Sequence, residues 1–176
     1  IEKYFPEFNE IMQNQEIKLR DFNENNLSST YEWLQDIELK NFFLLEKEIT
    51  KNSHLNWFQN YLKDKTQKIF AIYSDRKHIG NIGLKNIDYT LNHSEVWIYI
   101  GDTSNHKKGI GLYATNQIKN YCKDNQIKQL YCHVAEFNYP SIRMFEKAKF
   151  QIESFSKRSF YKIKGKTKIF KMNCII

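Results

Sequence analysis

Cysteine is scarce in this chain, which has only three, at Cys122, Cys132 and Cys174. They form neither a CxxC pair nor the cysteine–histidine spacing of a metal site, and an odd number does not suit a framework of disulfides. The sequence therefore predicts reduced thiols and no metal site, with Cys122 and Cys132 serving as small buried apolar residues.

Proline and glycine are also scarce, with two and six residues, and no linker, repeat or low-complexity tract divides the chain. Long apolar runs are missing, since none approaches the ~20 residues that a membrane-spanning helix needs. The first ten residues, IEKYFPEFNE, lack the apolar core of a secretory signal. We therefore expect a soluble, cytoplasmic protein.

Aromatic and basic residues, by contrast, are plentiful. The 13 Phe, 11 Tyr and 41% hydrophobic residues provide the material for a packed interior. The net charge of +7 suits an anionic partner such as a nucleotide-type ligand, a nucleic acid or an acidic membrane. A chain of 176 residues suits one core, so we interpret residues 1–15 as an N-terminal extension and 16–176 as a single domain.

The most informative stretch is a strand, a glycine-rich loop and a helix in succession. The β-branched and aromatic run at 96–100 predicts a buried strand, and the segment HKKGIG at 106–111 leads into a helical pattern. The first turn of a helix has unpaired N–H groups and favours negative charge, and glycines let an anion approach the backbone. The segment is thus either a phosphate cradle or a tight loop with solvated lysines.

Other elements follow from the same patterns. Alternation predicts strands at 16–20, 68–73, 78–84, 129–135 and in a closing pair at 150–164 and 166–174. Capping residues and spacing predict helices after Asn26, after Ser53 and after Asn138. For the helix after Ser53, the predicted buried face consists of Leu55, Phe58, Tyr61 and Leu62.

Two motifs, in this order, make residues 16–174 resemble the GNAT superfamily of acetyl-coenzyme A dependent N-acetyltransferases. The first is HKKGIG, similar to the family's pyrophosphate loop Q/R-x-x-G-x-G/A, with His106 in place of Gln or Arg. The second lies within 129–150, where the residues at family positions are Asn138, Ser141, Glu146, Lys147 and Phe150.

The resemblance implies an α/β (α+β) fold, with a mixed, mostly antiparallel, twisted sheet of six to seven strands, about four helices, and a splayed opening beside strand 95–100. It implies acetyl-coenzyme A as co-substrate, no metal, and direct attack by the amine in a ternary complex. Carried over by position, the pantetheine arm lies along Tyr99, Ile100 and Gly101. The pyrophosphate lies among His106, Lys107, Lys108, Gly109, Ile110, Gly111 and Leu112. Asn138, Ser141 and Lys147 complete the coenzyme site.

For catalysis, the family commonly places a general-base Glu at the start of the strand before the loop, where Glu95 stands. The alternative for Glu95 is a solvated residue at a strand end. Many members protonate the leaving thiolate with a Tyr, but Phe145 occupies that position, so Ser141, Tyr139 or water would have to act there. The glycine usual before the closing Phe is Lys149.

For the acceptor, His54 and Trp57 in SHLNWFQ resemble the branch that acts on nucleotide-linked amino sugars and, more generally, the Rim branch that acetylates protein N-termini. His54 would then orient a sugar or phosphate; its alternative is a helix-surface histidine. Basic charge suits a nucleotide sugar better than a polyamine. We expect a small-molecule amine, coenzyme A, no membrane partner, and a monomer or homodimer.

Three alternatives remain. Residues 109–114 also fit G-x-G-x-x-A, a Rossmann dinucleotide turn, with Glu136 as a ribose ligand, although the preceding strand ends too early. An RNA-binding module would stack bases on Tyr131 and Phe137, but the lysines are spread along the chain, which argues against a nucleic-acid partner. The third alternative is a family member that binds coenzyme A but has lost catalysis, because Phe145 has no proton to give to the leaving thiolate.

Overall fold

The computed structural model describes residues 16–36, 39, 42–160 and 163–176. Seven strands form one sheet in the order β1-β2-β3-β4-β5-β7-β6. The strands are β1 (Ile17–Asp21), β2 (Lys68–Ser74), β3 (Lys77–Asp88), β4 (His93–Ile100), β5 (Gln129–Ala135), β6 (Gln151–Arg158) and β7 (Thr167–Ile175). The α-helices of the described residues are α1 (Leu27–Gln35), α2 (Lys51–Tyr61), α3 (Ile110–Asp124) and α4 (Tyr139–Lys147).

This architecture confirms the predicted fold class. Every neighbouring pair of strands is antiparallel except β4 and β5. The Rossmann alternative is wrong, because it requires a mainly parallel sheet. Residues 1–15, interpreted as an extension, lie outside the described residues. Within the described ranges, no helix combines the length and the apolar character needed to cross a membrane.

The two faces of β4 pack against different layers. Side chains alternate along a strand, so Val96, Ile98 and Ile100 share one face and pack in the main core with α3. Trp97 lies on the other face and packs against a smaller aromatic cluster that includes Phe22 and Phe58 of α2. The sheet is therefore sandwiched between α3 on one side and α1 and α2 on the other.

The defining feature of the sheet is a fork between β4 and β5. These strands pair at only three positions, His93 with Gln129, Ser94 with Leu130 and Glu95 with Tyr131. Beyond Glu95, β4 continues to pair with β3 and β5 continues to pair with β7. The facing edges of β4 and β5 therefore separate into a wedge in which backbone groups have no strand partner.

The buried face of α2 differs from the predicted one. Thr50, not Ser53, is the N-cap, and the two residues cap each other reciprocally. His54 and Phe58 are buried, whereas Leu55 is 51% and Leu62 60% exposed. The side of the helix that carries His54 and Phe58 faces inward because it packs on Phe22 and the sheet. The hydrophobic pattern did not indicate this face, because His54 is polar.

The two faces of α2 should differ in their contribution to stability. We expect Phe58→Ala to lower the free energy of unfolding by about 3–5 kcal/mol, because it removes a buried ring from the small core. Leu55→Ala, one turn earlier on the exposed face, should change it by less than about 0.5 kcal/mol. Urea titration of both variants checks this, and equal losses would contradict the observed orientation of α2.

Candidate active site

The N-terminus of α3 lies at the end of the loop that leaves β4. Two residues of this loop adopt left-handed backbone angles, Lys107 at φ +62° and Gly109 at φ +76°, and Gly109 is the N-cap. No side chain of the described residues caps α3, and its first turn has no acidic residue, whereas Thr50 caps α2 and Asn138 caps α4. The first N–H groups of this 15-residue helix thus remain available to an anion.

Gly111, in that first turn, is not required by the packing of the protein. A Cβ at this position would meet Met144 Cγ at 3.7 Å and Ile98 Cδ1 at 3.9 Å, which are ordinary contacts. Gly101 differs, since a Cβ there would overlap the Trp33 ring. A Cβ at Gly111 would therefore have room, and its absence leaves the backbone of this first turn open to close approach.

Two basic residues of the loop bond to the end of β4 or to the loop itself. His106 Nε2 lies 2.7 Å from the Ile100 carbonyl oxygen, and because a carbonyl only accepts, His106 donates. Lys108 Nζ donates to Asn105 Oδ1 at 3.4 Å. His106, the residue that departs from the family motif, thereby ties the loop back to the end of β4.

A buried polar network fastens α1 to the sheet beside this loop. Asn81 Nδ2 donates to the Thr30 hydroxyl at 2.9 Å and to the Tyr99 hydroxyl at 2.8 Å, and Asn81 Oδ1 lies 2.8 Å from His78 Nε2. The His78 Nδ1 atom is 2.7 Å from the Ser29 hydroxyl. Burial lowers the pKa of His78 and raises the pKa of Tyr99 to about 12, so both are neutral at physiological pH.

The side chain of Tyr99 therefore lies on the α1 side of the sheet, where its hydroxyl accepts from Asn81. Its backbone and that of Ile100 belong to the part of β4 that borders the wedge, and Gly101 follows directly after the strand. Gly101 N donates to the Ile79 carbonyl at 2.9 Å, which keeps the end of β4 against β3. The sequence could not have indicated this network, because its polar members lie far apart in the chain.

Glu95 lies at the vertex of the fork and is only 8% exposed, so the solvated alternative for this residue is wrong. Its Oε1 is 2.9 Å from His133 Nδ1 and 3.3 Å from Lys85 Nζ, and its Oε2 accepts from Asn86 Nδ2 at 3.3 Å. Burial raises the pKa of Glu95, but the His133 hydrogen bond and the charge of Lys85 outweigh it and hold the pKa below its usual value. The carboxylate is ionised at neutral pH.

The partners of Glu95 were missed in the sequence. His133 is two residues after Tyr131 on the same face of β5, and Tyr131 pairs with Glu95 across the fork. The alternation of YCHVA could have placed His133 beside Tyr131. Nothing in the sequence, however, indicated which strand β5 adjoins or in which register.

The predicted residues of α4 lie along one helix. The Asn138 side chain accepts from Ser141 N at 3.3 Å as the N-cap, and Lys147 is in the last turn, about 9 Å further along the axis. Phe145 is 3% exposed and packs edge-on against Phe150 at 5.0 Å, so it belongs to the core. Tyr139, at the start of α4, is 65% exposed.

His54 and Trp57, the residues predicted to bind the acceptor, pack against other residues of the protein. His54 is 6% exposed, its Nε2 lies 3.2 Å from the Leu27 carbonyl oxygen, and its ring stacks on Trp57 at 5.3 Å. Trp57 in turn packs edge-on against Phe22 at 5.8 Å. Burial lowers the pKa of His54. The helix-surface alternative is wrong, and both side chains are committed to packing α2 on α1 and the sheet.

The cysteines are buried, as predicted for Cys122 and Cys132. Burial raises the pKa of Cys122 to about 12 and also raises the pKa of Cys132. Over the described ranges, no group of three or more His, Cys, Asp and Glu side chains could hold a metal ion.

Comparison with known proteins agrees with this geometry. Residues 16–151 match the model of a family described as the acetyltransferase (GNAT) domain. The chain is similar to acetyltransferase PseH of Campylobacter jejuni, with 27% identity over 150 residues, 82% of this chain and 91% of the relative.

Two solved structures share the fold. One is spermidine N-acetyltransferase from Vibrio cholerae in complex with CoA and spermine, with a TM-score of 0.82, 18% identity, and 90% of this chain and 95% of that chain covered. The other is a domain from Methanocaldococcus jannaschii, with a TM-score of 0.78, 17% identity, and 93% and 100% covered. At these identities the likeness establishes the fold alone.

The depressed pKa of Glu95 predicts a pH-dependent contribution to stability. A carboxylate whose folded-state pKa is below its ordinary value stabilises the protein above that ordinary value, here 4.5, and loses this contribution as the pH falls through the folded-state pKa. We expect the wild type to exceed Glu95→Gln in unfolding free energy at pH 7, with a difference that shrinks below pH 4.5.

Denaturant titrations from pH 7 to pH 3 measure this difference. The matched control is Glu153→Gln, which removes one partner of the half-exposed Glu153–Lys171 pair and should change stability little. A difference between wild type and Glu95→Gln that is constant over this pH range would contradict the proposed ionisation.

Proposed function

Because this chain belongs to the GNAT family of acetyltransferases and is an N-acetyltransferase, we propose that it transfers the acetyl group of acetyl-coenzyme A to the amine of a nucleotide-linked amino sugar. The family uses acetyl-coenzyme A as co-substrate. The wedge between β4 and β5 and the uncapped N-terminus of α3 support the proposed position of the coenzyme. The charges around Glu95 support the proposed class of acceptor.

We assign the pyrophosphate of the coenzyme to the first turn of α3. The uncapped N–H groups of Ile110, Gly111 and Leu112 supply hydrogen-bond donors, and the helix dipole favours the anion. Lys107 and Lys108 add positive charge beside them. The open space at Gly111 fits this role, since the protein itself has no use for the missing side chain.

The pantetheine arm is assigned to the unpaired backbone edge of β4. Beyond Glu95 this edge has no strand partner, so the backbone groups around Tyr99 and Ile100 that face the wedge can bind an extended amide-containing arm as a strand would, whereas the Gly101 N–H is already bonded to the Ile79 carbonyl. His106 already donates to the Ile100 carbonyl, and we assign it to shaping the loop and not to the pyrophosphate.

The start of α4 completes the coenzyme site on the other side of the wedge. Asn138 and Ser141 follow directly on the splayed end of β5, and Met144 lies beside Gly111, so α4 adjoins the first turn of α3. Lys147, near the other end of α4, stays a prediction. Bound in this way, the coenzyme supplies a thioester carbonyl for the amine to attack, and the protein accelerates the reaction mainly by orienting the two groups.

The charge around Glu95 is the observation that carries the acceptor proposal. Lys85, Asn86 and His133 all donate to this carboxylate or pair with it, so no free carboxylate remains there for the second ammonium group of a polyamine. The chain as a whole carries +7. This positive charge attracts an acceptor that carries phosphate groups and repels a polycation. We assign His54 and Trp57 to supporting α1, and not to contact with the acceptor.

Substitution of Gly111 tests the binding of acetyl-coenzyme A without impairing the stability of the free protein. We expect Gly111→Ala to leave stability without ligand unchanged or raised by up to about 1 kcal/mol, because its Cβ has room and Ala favours a helix. The increase in thermal midpoint that acetyl-coenzyme A gives the wild type should be largely lost, because the added methyl group restricts the approach of the proposed pyrophosphate to the helix backbone.

Two controls accompany this thermal-shift measurement. Asn116→Ala, on the exposed side of α3, should keep the full response to acetyl-coenzyme A. Gly101→Ala should lower the midpoint without ligand, because the Trp33 ring occupies the space. An undiminished response of Gly111→Ala would exclude the first turn of α3 as the pyrophosphate site.

The acceptor is tested with a UDP-linked amino sugar, spermidine and a peptide with a free N-terminus, each with acetyl-coenzyme A, by measuring the release of coenzyme A thiol. We expect kcat/KM for the nucleotide sugar to be at least about tenfold higher than for the others. Its KM should rise at least about threefold between low and physiological salt, since salt screens the attraction to a basic protein.

The direction of the salt effect distinguishes the acceptors. A polycation repelled by the protein should bind better as salt rises, so spermidine should show a falling KM. Preferred turnover of spermidine, or of the peptide, would overturn the nucleotide-sugar assignment and leave the coenzyme site untouched.

A further inference from the structure

His133 stands where β5 leaves β4. It is the first residue of β5 on the Glu95 face beyond the last β4–β5 pair, which joins Glu95 to Tyr131. The side chain of His133 is 24% exposed, against 10% for that of Glu95. Of these two bonded side chains, His133 is therefore the more accessible to solvent.

Glu95 itself is poorly disposed to take a proton from an amine. Its Oε1 is shared by His133 and Lys85, and its Oε2 accepts from Asn86. A proton arriving at Oε1 would displace one of its two partners, and a proton on either oxygen would cancel the charge that Lys85 faces. A general base needs an accessible lone pair, and this carboxylate, 8% exposed, already has three of its roughly four lone-pair sites engaged.

The ring of His133 has a free acceptor instead. A carboxylate can only accept, so the 2.9 Å contact between His133 Nδ1 and Glu95 Oε1 means that Nδ1 carries the proton. In the neutral imidazole the lone pair then lies on Nε2, for which no hydrogen-bond partner exists among the described residues. The carboxylate thus fixes the tautomer and the orientation of the ring and leaves the other nitrogen as an acceptor.

We propose that His133 is the general base of this enzyme and that Glu95 is a positioning residue that acts through it. The proposal rests on the acetyl transfer proposed above, but not on which amine is the acceptor. The amine nitrogen forms a bond to the acetyl carbonyl carbon, the carbon–sulfur bond breaks, and the sulfur leaves with its electron pair. The proton lost by nitrogen passes to His133 Nε2 and from there to solvent, and solvent protonates the departing thiolate.

Several charged or titratable groups face His133 and must be kept in any test. Glu95 of β4 and Lys85 of β3 lie on one side, and Tyr131 precedes it on β5 with ring centroids 5.8 Å apart. Lys171 of β7 pairs with His133 in the sheet register and forms an ion pair with Glu153 at 2.7 Å. All of them stay unchanged in His133→Gln.

The experiment measures kcat and kcat/KM against pH for the wild type, His133→Gln and Glu95→Gln, with whichever amine of the panel the wild type acetylates. The matched control is His93→Gln, a histidine of β4 whose ring packs on Tyr131 at 5.6 Å without contacting Glu95. It should behave as the wild type does.

For His133→Gln we expect kcat at pH 7 to fall about 10²- to 10³-fold, the usual contribution of general-base catalysis, with the KM for acetyl-coenzyme A within about twofold. The slope of log kcat/KM on the acidic side should fall from about 2 to about 1, because only the substrate amine still has to lose a proton. Glu95→Gln should keep the slope of about 2 and lose about tenfold in kcat.

The proposal is overturned if His133→Gln keeps the wild-type slope and its rate within about threefold. It is also overturned if Glu95→Gln, and not His133→Gln, loses the slope, because Glu95 would then be the base. Failure of the nucleotide sugar as acceptor is a separate result, since spermidine or the peptide then takes its place in the assay.

A second measurement needs no acceptor and no turnover. Nitrogen-15 NMR of the histidines in the wild type, with His133→Gln used only for assignment, reports which ring nitrogen carries the proton. We expect the neutral ring to carry its proton on Nδ1 and to leave Nε2 free. A His133 ring with its proton on Nε2 would overturn the proposal even if no amine were turned over.

Discussion

The parting of β4 from β5 after three paired residues is the constraint on which the site depends. While the strands are paired, their backbone groups satisfy each other; once they part, each strand keeps one partner and exposes one edge. Such edges are normally covered or avoided. Here the loop after β4 ends at the N-terminus of α3, which no side chain of the described residues caps. Unpaired backbone groups of β4 and of α3 therefore lie at the two ends of one short loop.

Polar side chains hold this opening in shape from the α1 face. Asn81 joins Thr30 of α1 to Tyr99 of β4, and His78 extends the connection to Ser29. Buried polar groups without partners are costly, and each of these groups is bonded, so the network fixes one arrangement of α1 against the sheet. The Glu95–His133 pair acts similarly at the vertex, where it links two strands that have just separated.

Local patterns of the sequence predicted most of the fold. The run at 96–100, the glycine loop and the apolar stripe of α3 are each contained within a few turns or residues, and the structure has them as expected. The face of α2 was misjudged because Leu55 and Leu62 are more hydrophobic than His54, although aromatic packing on Phe22 decided the orientation. The partners of Glu95 depend on the register of three strands, which no local pattern encodes.

All three cysteines are buried, and for Cys122 and Cys132 burial also raises the pKa. Acetyl transfer from the family's co-substrate releases a free thiol each time it occurs. Thiol–disulfide exchange needs an accessible thiolate on one partner and an accessible sulfur on the other, and this protein offers neither. An enzyme of this kind can accumulate its thiol product under mildly oxidising conditions without becoming covalently joined to it.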